Sequence, residues 1–166
     1  MTSDQKQARK ATVTTPTDRE IHIVREFDAP RDLVFAVYTD PKLIHEWWGP
    51  NGTTTTVDYM DPRTGGDWRF GIRNADGSET AFRGTYREVT PPERIVQTFE
   101  WDGMPGYVSV ETAVFEDLGD RTRVTNTTLF HTTEERDGML ASGMERGMNE
   151  TFSRLEEVLA ARLASG

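Results

Sequence analysis

The chain has 166 residues, 35% hydrophobic and 28% charged, which fits one folded domain large enough for a core and a cavity. Its formal net charge of −9 argues against a nucleic-acid or anionic-membrane partner, because binding to phosphates rests on clustered Lys and Arg. There is no cysteine, which excludes disulfides and thiolate metal sites, and no signal-like or bilayer-length apolar run, so the expectation is a cytoplasmic protein.

Residues 1–19 are polar, with almost nothing to bury, and read as a flexible tail before a single domain over residues 20–166. Ile21, Ile23 and Phe27 then alternate with polar residues, as in a half-buried strand. Arg25 falls on their face. Its simplest reading is a strand-end arginine reaching water, and its sharper one a buried cation with a carboxylate partner. Pro30 suits a helix start, and Leu33, Val34, Val37 and Tyr38 give a short apolar face. Asp40-Pro41 repeats the device for a second short helix, which the Trp47-Trp48-Gly49-Pro50 run ends.

Six candidate strands follow: Thr53–Asp61, Asp67–Asn74, Glu79–Val89, Arg94–Trp101, Val108–Leu118 and Arg121–Phe130. Short Gly-, Pro- and Asp-rich turns divide them, which forces neighbours to be antiparallel. Trp68, Phe70 and Ile72 share one face of their strand, and Phe82, Gly84 and Tyr86 share one face of the next. Gly84 between two aromatics signals a bend or a close approach by another group. Ile95, Phe99 and Trp101 share a face with Gln97, and Val124 and Phe130 share one with Asn126 and Thr128. In Val108–Leu118 the inward face is ambiguous: Val108, Val110 and Val114 lie on one side, Ala113 and Phe115 on the other, and the second choice would carry Glu111 inward. Buried Gln97, Glu111 and Asn126 would have to bond each other, water or a ligand.

Thr132 and Glu135 have the spacing of a capping box, as do Ser142 and Glu145. Met144, Met148, Phe152, Leu155 and Leu159 then recur on one stripe of a helix over Ser142–Leu163. One greasy stripe needs a sheet to lie on, and the antiparallel segments provide it. The fold class is α+β.

Several stretches together resemble one family. They are REFDAPRDLVF from Arg25, Trp47-Trp48-Gly49-Pro50, Gly65-Gly66 with Trp68-Arg69, and Pro91-Pro92-Glu93-Arg94, together with the Gly119–Arg123 hairpin and Gly143-Met144 to Arg154-Leu155. Over about residues 20–161 the chain resembles bacterial homologues of the activator of the ninety-kilodalton heat-shock-protein ATPase, in the START-like or birch-pollen-allergen-like superfamily. The resemblance implies a helix-grip fold, in which a seven-stranded curved antiparallel sheet wraps a long C-terminal helix, with two short helices after the first strand. Many relatives carry Trp where this chain has Met148, which implies a larger or softer interior here.

No strong catalytic motif is present. His22, His45 and His131 have no metal-ligand spacing, no Gly-rich loop has a phosphate-binding pattern, and no Ser sits in a nucleophile elbow. No metal or cofactor is expected. The leading reading is a cavity that binds an apolar or aromatic small molecule, lined by Trp48, Trp68, Phe70, Phe82, Tyr86, Phe99, Trp101, Asn126, Met144, Met148 and Phe152. One alternative is a protein-interaction module of cochaperone type. The named cochaperone uses a further N-terminal domain where this chain has a polar tail, which counts against a chaperone partner. A weaker alternative is a cyclase- or hydrolase-type enzyme using Tyr86, His45 or Glu111. A homodimer stays open.

Overall fold

The structure, a computed structural model, describes residues 10–165. Eight strands form one antiparallel sheet: β1 (Thr12–Thr14), β2 (Glu20–Phe27), β3 (Thr54–Met60), β4 (Asp67–Arg73), β5 (Glu79–Thr90), β6 (Arg94–Trp101), β7 (Val108–Asp117) and β8 (Thr122–Leu129). Their order is β1-β2-β8-β7-β6-β5-β4-β3, so the meander β3 to β8 is closed onto β2 by the last strand. Helices α1 (Arg31–Tyr38) and α2 (Ile44–Trp47) connect β2 to β3, while α3 (Thr133–Ala141) and α4 (Met144–Ser165) follow β8. This is the expected helix-grip arrangement with one strand more than expected. β1 lies inside the stretch read as a tail, and it pairs Thr12 with Val24, Val13 with Ile23 and Thr14 with His22. Ala11 is buried beside it, its N–H donating to Asn149 Oδ1 on α4 at 3.1 Å.

Curvature has local causes. Register shifts between Val57 and Tyr59 in β3 and between Tyr86 and Glu88 in β5 mark bulges, which bend a strand and raise its twist. Gly84 lies just before the second. A Cβ there would stand 1.9 Å from Thr98 O and 2.6 Å from Trp68 Nε1, so the glycine is required by close approach of both.

The concave face packs on α4. Phe152, Leu155 and Leu159 are buried, with Phe152 edge-on to Phe27 at 5.6 Å between centroids. The α4 start differs from expectation: Ser142 ends α3, its hydroxyl donating to Met139 O, and Gly143 at φ 81° turns the chain into α4. A residue held in the left-handed region between two helices leaves no place for a Ser142 capping box. The Thr132 cap does form, with Thr132 Oγ1 accepting from Glu135 N at 3.2 Å. Asp40 caps only a turn, through Lys42 N at 2.9 Å, and α2 begins at Ile44.

Arg25 follows the sharper of its two readings. It is 4% exposed, 3.9 Å from Glu156 on α4, and stacked over the Phe27 ring at 4.6 Å. Glu156 Oε1 also accepts from Asp28 N at 3.2 Å, which ties the middle of α4 to the end of β2.

Candidate functional site

Between the concave face and the first turns of α4 lies a cavity of about 470 Å³. Its floor is built by period-two alternation. Tyr86 is paired with Gln97, Gln97 with Glu111, Glu111 with Thr128, and Thr128 with Ile21, so one cross-strand row runs over β5, β6, β7, β8 and β2. The adjacent row, Ile95, Ala113, Asn126 and Ile23, is apolar except for Asn126. The roof comprises Trp47 and Trp48 at the end of α2, Met139 on α3, and Met144, Gly147, Met148, Thr151 and Phe152 on α4. Arg154 Nη1 donates to Gly49 O at 2.9 Å and Asn51 N donates to Glu150 Oε1 at 3.1 Å, so α4 holds the Trp-Trp-Gly-Pro turn in place.

One wall is aromatic. Trp48 stands edge-on to Phe70 at 5.1 Å and to Phe82 at 5.5 Å, and Phe82 stacks on Phe99 at 5.2 Å. Trp68 supports this wall from behind, 1% exposed, 4.8 Å from Phe70 and 6.0 Å from Phe99. It does not line the cavity. Trp101 does not either: it is 41% exposed, its Nε1 donates to Thr80 Oγ1, and its ring lies over Gly103, where a Cβ would meet it at 2.3 Å. As the last residue of β6, it turns out with the chain. Of the residues singled out from the sequence, Trp48, Phe70, Phe82, Tyr86, Phe99, Asn126, Met144, Met148 and Phe152 line the cavity.

The ambiguous strand is resolved with Ser109, Glu111, Ala113 and Phe115 inward and Val108 and Val114 on the exposed convex face. Glu111 Oε1 accepts from Gln97 Nε2 at a long 3.5 Å. Burial pushes the Glu111 carboxyl up to about 7, only partly offset by the Gln97 bond. Tyr38, from α1, is held above the usual phenol range by burial first and by the Glu111 charge second, with Arg25 opposing. Burial, then the Asp61 charge, raises Tyr86 as well. Both phenols stay neutral hydrogen-bonding groups near pH 7. Asn126 Oδ1 and Trp47 Nε1 are buried and, among the described residues, have no hydrogen-bond partner.

Tyr38, Ser109 and Thr128 line the cavity without having been singled out for it, although the Asn126 face of β8 already included Thr128. His45 is exposed on α2 and is not among the lining residues, so it has no part in this site. Among the described residues no group of His, Asp and Glu is placed to hold a metal ion. No helix among them is long and apolar enough to cross a membrane.

A curled antiparallel sheet gripping a C-terminal helix, with a lined hollow between them, defines the START-like class. Within it, residues 28–160 match the family described as "Activator of Hsp90 ATPase homolog 1-like protein", and the chain belongs to that family. A solution structure of an Arthrobacter aurescens protein is 26% identical, covers 90% of this chain and 91% of its own, and superposes with a TM-score of 0.83. A Staphylococcus epidermidis solution structure is 28% identical over 91% of this chain and 94% of its own, with a TM-score of 0.78. A Rhodobacter sphaeroides crystal structure, 24% identical over 92% and 99%, shares the fold with a TM-score of 0.86. No curated protein matches the chain.

Proposed function

We propose that the protein binds a small molecule with an apolar, partly aromatic body in the space between sheet and α4. The observation that carries this reading is the composition of the cavity. Its volume of about 470 Å³ falls in the range of about 300–1,000 Å³ usual for ligand sites. Its walls are largely aromatic and aliphatic, and Gln97, Ser109, Glu111, Asn126 and Thr128 cluster on the floor, with Asn74, Thr80 and Thr151 elsewhere in the lining. A hollow kept only by poor packing would have no reason to carry a carboxylate and a buried amide oxygen without a partner.

Thermal unfolding and Trp fluorescence against a panel of apolar aromatic compounds test it. Binding should raise the melting temperature and change the emission of Trp48, which sits on the wall. Met148→Trp, which fills the roof, should abolish both responses while the protein stays folded. A panel with no stabilising compound, or responses unchanged by Met148→Trp, would remove the reading.

A further inference from the structure

The charge inside the cavity is one-sided. Among the described residues Glu111 is the sole formally charged one lining it, with no Lys, Arg or His beside it. One of its oxygens has the long contact from Gln97, and among the described residues no hydrogen bond or ion pair reaches the other. Asn126 presents a second acceptor, Oδ1, that is buried and has no partner. Thr128 is directly opposite Glu111, and Asn126 is two residues before it on β8, so Glu111 and Asn126 are diagonal neighbours. Such neighbours are about 7–8 Å apart at the backbone.

A carboxylate taken out of water without a cation is costly, and so is an unpaired amide oxygen. A positively charged donor in the cavity relieves the first. We infer that the cavity is built for an apolar amine, whose ammonium donates to Glu111 while its hydrocarbon or aryl body lies against Trp48, Phe82 and Met148. This rests on the binding reading above and narrows it from apolar compounds in general to cationic ones.

The titratable groups around Glu111 are few. Tyr38 faces it from α1, and Tyr86 lies along its row on β5; both phenols are held neutral. Arg25 on β2 is engaged by Glu156 of α4 and acts on Tyr38. The α3 and α4 residues of the roof do not titrate. Between pH 5 and 9, then, among the described residues the cavity changes charge through Glu111 alone. Alkylamines stay protonated there, with pKa values of about 10. Affinity for an amine should climb as pH rises through about 7 and then level.

The test is calorimetric titration of the full chain with 3-phenylpropylamine, the near-isosteric neutral 3-phenylpropanol, and 3-phenylpropanoate, at pH 8 and pH 5.5. At pH 8 the amine should bind about tenfold or more tighter than the alcohol, as expected for a charge-assisted bond. The acid should bind weakest, and the preference for amine should shrink at pH 5.5. Glu111→Gln should erase both preference and pH dependence, and a single cooperative thermal transition reports that the variant is folded. Glu111→Asp, which keeps the charge, should retain a preference. If the alcohol binds and the amine does no better, or if the preference survives in Glu111→Gln, the inference is wrong and the apolar-binding reading stands. If neither compound binds, both are wrong.

Discussion

The two halves of α4 rest on different surroundings. In the C-terminal half, Leu155 and Leu159 are 0% and 1% exposed, and Glu156 locks onto Arg25 and the Asp28 backbone. In the N-terminal half, Met144, Gly147, Met148 and Thr151 are only half-buried, and they look into a hollow. The same helix is therefore an anchor at one end and a roof at the other. Branched, fixed-shape leucines fill the anchor, while flexible methionines cover the space. Packing against the sheet and covering of the hollow thereby fall to separate turns, so a change in one need not disturb the other.

Leu155→Ala should break the anchor most severely. A large fully buried side chain replaced by Ala costs about 3–5 kcal/mol, measurable as a lowered midpoint in urea unfolding. Glu156→Ala comes next, at about 3 kcal/mol, because it leaves the buried Arg25 guanidinium without that carboxylate. On the cavity floor opposite the roof the sign reverses. Glu111 rises from 4.5 in the unfolded chain to about 7 in the fold, so the folded state holds its proton more tightly. The penalty for ionising it is absent below about pH 4.5 and complete above about pH 7. At about 1.36 kcal/mol per pH unit, Glu111→Gln should stabilise the protein by up to about 3 kcal/mol at pH 8 and hardly at all at pH 4. Paired unfolding curves at the two pH values check this. The smallest effect should be that of Met148→Ala, about 1 kcal/mol or less and below the usual cost of a buried methionine, because one side of Met148 already meets open space. A loss as large as that of Leu155→Ala would erase the distinction between the two halves.

Most of the architecture could be read from periodicity. Arg94–Trp101 matches β6 at both ends, and the alternation of Trp68, Phe70, Phe82 and Tyr86 assigned their faces correctly, because a pleated strand leaves no other choice. The failures have physical reasons. β1 carries one apolar residue in three, too little for a pattern, and is defined by its backbone bonds to β2. β7 places valines on its solvent side, where β-branched residues suit the pleat without being buried, so hydrophobicity alone pointed both ways. Trp101 kept the right parity and the wrong destination, since a strand end does not constrain where a long side chain lies. Tyr38 looked like part of an ordinary apolar helix face, and it does contact Trp47 at 5.0 Å; only the closing of the sheet brings it to the cavity. The sharper reading of Arg25 was available in the sequence, but its partner Glu156 is 131 residues away, beyond what local spacing can connect.

The three-residue β1 also bears on how copies of the chain meet. β2 would otherwise end the sheet with a bare run of amide and carbonyl groups, the template on which strands of separate molecules add to one another. Pairing at His22, Ile23 and Val24 occupies the middle of that run, and the link from Ala11 to Asn149 pins the short strand to the helix behind it. A chain trimmed to start at Glu20 should keep its gripped helix yet self-associate as concentration rises, an outcome sedimentation would register directly. The first residues of the fold thus act as a selvedge, finishing a woven edge that would otherwise fray into its neighbours.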